Sequence, residues 1–276
     1  MIKIGTSGFS FPDWRGVIYP KTLQPKDILL YYQEDLGFDC VEINATYYTL
    51  LSDKSFVGME KKTNPGFEFV VKGYKGFTHD PFDTRLAEKK PNMEKALEDM
   101  EKFNYSVQPL KEKNKLGAIL LQFPVFFYPT DENKEYITIC KDKFQNIPLI
   151  IEFRNHDWAK TEIFDFLKQN NLGFCIVDEP KLPRLMPFIN EVTSDTGYFR
   201  LHGRNPNWFN VSIQERYDYL YSDKELKSFI PEIEKMTKKT KKTYAMFNNC
   251  HAGSAARNAL SLKKLLNIKS VKRTLF

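Results

Sequence analysis

The residues of this chain that could do chemistry stand at the ends of apolar runs. In IIEFRNHDW (150–158) such a run finishes with Glu152, Arg154, His156 and Trp158. Side chains alternate along a strand, so Ile150, Glu152 and Arg154 share one face. The same spacing groups Cys40, Glu42 and Asn44; Glu68, Val70 and Lys72; Leu120 and Gln122; Ile176 and Asp178; Tyr198, Arg200 and His202; and Tyr244, Met246 and Asn248. Each of these faces ends on a polar residue. Carboxylates and an imidazole gathered with amines and guanidiniums are the parts of general acid/base chemistry on an anion. Glu42 or Glu152 would act as base and His202 as proton donor. Lys72, Arg154, Arg200 and Arg204 would hold the substrate's charge, with Asn44, Gln122, Asp178 and Asn248 completing its contacts. Set against Glu42, Glu152 and Asp178, those cations leave a positive surplus, which suits a phosphorylated sugar or a nucleotide-like ester. The plainer alternative is an ion network that only fixes the interior, although Val, Ile and Leu would fill it at lower cost.

The elements that must position these residues repeat in a simple order. Strand-length apolar runs occur at 2–6, 40–44, 67–72, 117–123, 148–154, 173–178, 198–202 and 243–248, most of them apolar on both faces, as strands covered on both sides are. Helical spacing marks 25–36, a segment capped by Ser52 and Asp53, 93–112, 131–144, 161–171, 223–239 and 254–266. A weaker helical candidate, 179–197, is broken by Pro180, Pro183 and Pro187. Strand followed by helix, repeated around the chain, predicts a TIM-type (β/α)8 barrel in one domain spanning 1–276. A doubly wound open sheet competes, but the first strand is followed by no Gly-rich phosphate turn. Barrel enzymes build their sites at the C-terminal strand ends, which is where the polar faces finish. The longer connections, 73–92 and 203–222, leave from that same end.

Other constellations are thinner. LHGRNPNW (201–208) follows the seventh strand and NNCHAGSA (248–255) opens the last helix, so both could hold phosphate. Glu42, Glu152, Asp178 and His202 could take Mg or Mn, as in a metal-dependent sugar isomerase. The chain has only 4 histidines and no HxH or HExxH, so no metal or organic cofactor is expected. Ser7 and Cys250 have no nucleophile elbow around them. Rings crowd the connections, among them Phe11, Trp14, Tyr47, Tyr48, Trp158, Trp208 and the run YDYLY (217–221), as a sugar or base would require. KKTKK (238–242) reads as a solvated helix end.

Composition sets the outer bounds. With 276 residues, 42% of them hydrophobic, the chain can bury a large core, and a net charge of +6 leans slightly toward anionic partners. Its 4 cysteines are scattered without a CxxC pair, the chain opens directly on a strand-like run, and no stretch is apolar enough to span a membrane. A cytoplasmic protein without a membrane partner is the expectation; oligomeric state leaves no mark in the sequence.

In the order GTSGFSFPDWRGVIYP, LGFDCVEINATYY, FEFVVKGYKGFTH, LGAILLQFP, IIEFRNHDW, YFRLHGRN with Trp208, YDYLYSDKEL and FNNCHAGSAARNA, the chain resembles the YecE-like family, domain of unknown function 72, over nearly its whole length. The resemblance implies a TIM-type barrel and no assigned activity. Its signature residues fall on Trp14, Glu42, Asn44, Lys72, His79, Gln122, Glu152, Arg154, Trp158, Arg200, His202, Gly203, Arg204 and Asn249. Family members often place a histidine directly after the arginine of EFR; here Asn155 intervenes before His156. The functional expectation is an enzyme acting on a small anionic substrate. The alternatives are a noncatalytic barrel that binds nucleotide or single-stranded nucleic acid, and the metal-dependent isomerase.

Overall fold

Each of the apolar runs becomes a strand, because a parallel sheet covered by helices buries both of its faces. The computed structural model describes residues 1–83 and 92–268. The strands are β1 (Ile2–Thr6), β2 (Cys40–Ile43), β3 (Glu68–Lys72), β4 (Leu116–Gln122), β5 (Leu149–Glu152), β6 (Gly173–Asp178), β7 (Thr196–Leu201) and β8 (Lys242–Phe247). All neighbours pair in parallel, in the order β1-β8-β7-β6-β5-β4-β3-β2. The fold is a (β/α)8 barrel, as the alternation of elements predicts.

The helices are α1 (Ile28–Glu34), α2 (Asp53–Lys61), α3 (Lys75–Thr78), α4 (Met93–Glu112), α5 (Asp131–Lys143), α6 (Thr161–Gln169), α7 (Ile213–Arg216), α8 (Asp223–Thr237) and α9 (Ser254–Leu265). Their starts follow local chemistry: Ser52, Asn92 and Thr130 each accept a bond from a backbone N–H of the first turn, and Ser222 with Glu225 closes a capping box. The helical candidate over 179–197 does not form. Pro180, Pro183 and Pro187 remove backbone donors there, and Arg184 takes a φ of +71°. The chain after β6 is therefore irregular, and it returns Glu179 to the barrel mouth. Of the long connection after β3, residues 84–91 lie outside the described residues.

Alternate strand residues fill the barrel as the spacing requires. Val70, Leu120, Ile150, Ile176, Tyr198 and Met246 are fully buried, each such side chain stabilising the fold by about 1.5–3 kcal/mol. At the N-terminal end Glu68 accepts from Lys242 Nζ at 2.8 Å and from the Tyr244 hydroxyl, with Lys3 Nζ at 3.5 Å, so an ion cluster closes the bottom. The KKTKK run belongs to this end, beyond α8, with Lys241 paired to Asp195 at 2.6 Å.

β1 and β2 close the ring without a ladder. A single parallel bridge joins Ser7 and Glu42, and Gly8 N donates to Glu42 O at 2.8 Å. Gly5 makes this approach possible, since a Cβ there would lie 2.5 Å from the Cys40 carbonyl oxygen, a backbone atom that cannot swing aside. Gly5→Ala should destabilise the chain by about 1–3 kcal/mol, the range for overpacking. Chemical denaturation measures this, and an unchanged midpoint would show that the seam is not tight.

Candidate active site at the barrel mouth

The polar strand ends converge on one guanidinium. Arg200, at the end of β7, is 1% exposed. Its Nε donates to Glu42 Oε2 at 3.0 Å and its Nη2 to Glu42 Oε1 at 2.6 Å, while Nη1 reaches Glu152 Oε2 at 2.9 Å and Gln122 Oε1 at 3.2 Å. Longer bonds from Nη2, both 3.4 Å, run to Asn44 Oδ1 and Asn248 Oδ1. Tyr198, two residues earlier on the same face, donates its hydroxyl to Glu42 Oε2 at 2.6 Å. Residues far apart in sequence meet here because their strands finish at one level of the barrel.

Arg154 forms a second tier. Its Nε lies 2.6 Å from Glu152 Oε1, its Nη1 donates to Glu179 Oε2 at 3.0 Å and its Nη2 to Gln122 Oε1 at 3.3 Å. Burial alone would raise the Glu152 carboxyl, but Arg154 and Arg200 hold it well below the usual carboxylate range. Glu179 has a single cation beside it, and burial pushes it up to about 7. Arg204 is turned to the rim, where Asp178 accepts from its Nε and Nη2 and Glu225 lies 3.3 Å from Nη1. Tyr221 donates to Asp178 Oδ2 at 2.7 Å and its oxygen accepts from Gly203 N. Gly203 has a φ of +92°, and a Cβ on it would lie 2.6 Å from that of Tyr219.

This geometry removes the cationic surplus expected from the sequence, because each arginine faces two carboxylates and Glu179 and Glu225 were missing from that count. Glu179 lies outside the alternation that placed Asp178. The DE pair at the end of the sixth run was its only sequence signal.

His202 is fully buried and uncharged at neutral pH. Burial and then Arg154 lower it to about 3. Asn248 Nδ2 lies 2.9 Å from His202 Nδ1 while Asn248 Oδ1 faces Arg200, so Nδ1 accepts and the ring proton is on Nε2, 3.3 Å from Glu152 Oε1. In this state it orients Glu152.

Lys72 differs from every other cation of the group. Half-buried at the end of β3, its Nζ stands 4.3 Å over the Tyr47 ring and makes no hydrogen bond or ion pair among the described residues. Burial, and then Arg200, push it down to about 7. It lines a cavity of about 180 Å³ with Ser7, Asn44, Gln122, Tyr217 and Asn248, under a rim that includes Phe11, Tyr48 and Ile213. The Ser7 hydroxyl is buried and has no partner among the described residues.

The tryptophans do not line this cavity. Trp14 donates Nε1 to Cys250 O at 2.7 Å, and Trp158 donates to Phe127 O at 2.6 Å while stacking on Phe153. Trp208 is buried beside His202 and Tyr217. Asn249 donates to Tyr219 O and Asn258, which ties the connection after β7 to α9. His79 lies against Tyr47, and burial and then Lys72 lower it to about 3. In the short turn before the last helix Ala252 N donates to Asp13 Oδ2 at 2.7 Å, which places a carboxylate beside the segment considered for phosphate. Burial raises the Cys250 thiol, and its Sγ donates to Ser7 O. Among the described residues no group of three or more His, Cys, Asp and Glu could hold a metal ion, since guanidiniums occupy the carboxylates proposed as ligands.

Arg200→Ala leaves Glu42 and Glu152 buried without their cation and should cost about 3–5 kcal/mol. The Glu152 contribution is present above the ordinary carboxylate pKa and is lost as pH falls, so the deficit of the variant should shrink in acid. Urea unfolding across acidic to neutral pH checks both; a deficit that is small or independent of pH would contradict the pairing.

The match to known proteins covers the same strand ends. A curated Bacillus subtilis (strain 168) protein, UPF0759 protein YunF, is 30% identical over 290 residues, covering 98% of this chain and 96% of that protein. A crystal structure of a DUF72 family protein from Thermotoga maritima MSB8 is 44% identical with a TM-score of 0.87, covering 97% of this chain and 99% of that one. A DUF72 family protein from Enterococcus faecalis V583 is 29% identical with a TM-score of 0.83, and the match covers 100% of both chains. The family model described as "Protein of unknown function DUF72" matches residues 3–275, and the chain belongs to that family.

Proposed function

We propose that this chain is an enzyme that performs general acid/base chemistry on a small anionic molecule, the size of a short sugar phosphate, in the cavity at the barrel mouth. The observation that carries the reading is Lys72, a cation in that cavity without a counter-ion among the described residues. A lysine pushed down to about 7 both gives and takes a proton near neutrality, as a catalytic acid/base must. The ammonium form faces the substrate's anionic group, while Asn44, Gln122, Asn248 and the Ser7 hydroxyl supply the orienting hydrogen bonds. Glu42 and Glu152, held by Arg200, fix the field at the floor of the site, and His202 keeps Glu152 in place.

The size of the cavity narrows the substrate. About 180 Å³ is small beside the roughly 300–1,000 Å³ of pockets for drug-sized ligands, so a short phosphorylated or carboxylated compound fits better than a nucleotide. The nucleic-acid reading loses support, because the KKTKK run stands at the opposite end of the barrel and the mouth arginines are paired. No described helix is long and apolar enough to cross a membrane, and the cysteines are all unpaired, which supports a reducing compartment such as the cytoplasm.

A thermal-shift screen of the wild type beside Lys72→Met tests this, using phosphate, three- to six-carbon sugar phosphates, mononucleotides, a single-stranded oligonucleotide and neutral sugars. A ligand at about 100 times its dissociation constant adds roughly 2.7 kcal/mol of stability. A small phosphorylated compound should give such a shift in the wild type and none in Lys72→Met. A shift confined to the oligonucleotide and falling steeply with salt would favour the binding module instead. No shift with any anion would end the reading.

A further inference from the structure

The surroundings of Lys72 also bear on what its amine can do. A buried ammonium group with a structural role is fixed by acceptors, as Lys115 is here, where Nζ donates to Glu60 O and Thr63 O at 2.7 Å each. Lys72 has no such acceptors among the described residues. The carboxylates able to neutralise it, Glu42 and Glu152, are already held by Arg200, and Glu152 also by Arg154. Its Nζ stands over the face of Tyr47, a ring that also packs against an uncharged His79. The amine therefore borders the cavity, and when deprotonated its lone pair is unengaged among the described residues.

From this arrangement we propose that Lys72 is a nucleophile that forms an imine with the carbonyl carbon of a small anionic aldehyde or ketone, making short oxo acids and phosphorylated carbonyl sugars the substrate class. The inference rests on the preceding reading that the mouth cavity is the substrate site. The Nζ lone pair attacks the carbonyl carbon, and the π pair of the C=O bond moves to oxygen, which takes up a proton. The carbinolamine then loses that oxygen as water with a proton from nitrogen, and a C=N bond remains. Burial and Arg200 oppose a positive charge at this position, and Glu152 and Glu42 offset part of that cost for the protonated imine as they do for the ammonium. Ser7, Asn44, Gln122 and Asn248 line the same cavity and offer hydrogen bonds to the departing oxygen and to substrate hydroxyls. A pKa near 7 leaves about half of the amine neutral at pH 7, against less than roughly one part in a thousand for an ordinary lysine.

The full chain is incubated with glyoxylate and sodium cyanoborohydride over a pH series, followed by intact mass and peptide mapping. The hydride reduces the imine, so the adduct carries the mass of the aldehyde less one water plus two hydrogens. The expected result is modification of Lys72 roughly tenfold or more faster than of exposed amines such as Lys95, with a midpoint near pH 7. Lys72→Arg, which keeps the charge but not the nucleophile, should lose the adduct while melting as the wild type does. Uniform labelling of surface amines overturns the inference. So does the absence of a Lys72 adduct when glyoxylate still stabilises the wild type, which leaves the mouth as a substrate site without the imine. Neither adduct nor stabilisation by any anion in the earlier screen would remove both.

Discussion

A guanidinium buried inside a barrel must spend its N–H groups on acceptors that the fold brings to one level. Arg200 does so with Glu42 from β2, Gln122 from β4, Glu152 from β5 and Asn248 from beyond β8, so five strands are tied at the mouth by one side chain. Its burial would be costly without two carboxylates, and theirs without it, so the network is present as a whole or not at all. It also fixes the β1–β2 seam, because Glu42 is both its main acceptor and the residue that bridges Ser7.

Charge at the mouth follows from this network. Arg200 and Arg154 share Glu152, Arg154 draws in Glu179, and His202 lies neutral beneath, so the floor of the site is rigid and closely balanced. Lys72 is left outside the exchange. Burial, and then Arg200, make it lose protons easily, and no carboxylate among the described residues pairs with it directly. The barrel stabilises a set of buried ions and leaves one amine at its opening without a counter-ion among the described residues.

Much of this was legible in the sequence because strand alternation is a strong rule. The spacing of Glu42, Glu152 and Arg200 within apolar runs was enough to set them on inward faces, and the strand-helix order was enough for the barrel. Pairing was not legible, since which carboxylate meets which guanidinium depends on stagger between strands. Glu179 escaped because it lies past the last strand position, on a segment whose prolines prevent the helix its spacing invited. The tryptophans lie outside the cavity for reasons spacing does not carry: the ring nitrogens of Trp14 and Trp158 reach backbone carbonyls in the connections, and Trp208 packs against His202 and Tyr217.

The central claim is that, among the described residues, the mouth neutralises itself except at Lys72. The most direct measurement is an NMR titration of the lysine ε-methylene resonances, with Lys72 assigned by its loss in Lys72→Met. The account predicts a Lys72 midpoint near 7, well separated from the other lysines. A midpoint in the ordinary lysine range, about 10.4, would mean that a carboxylate reaches the amine after all, and the site as described would be wrong.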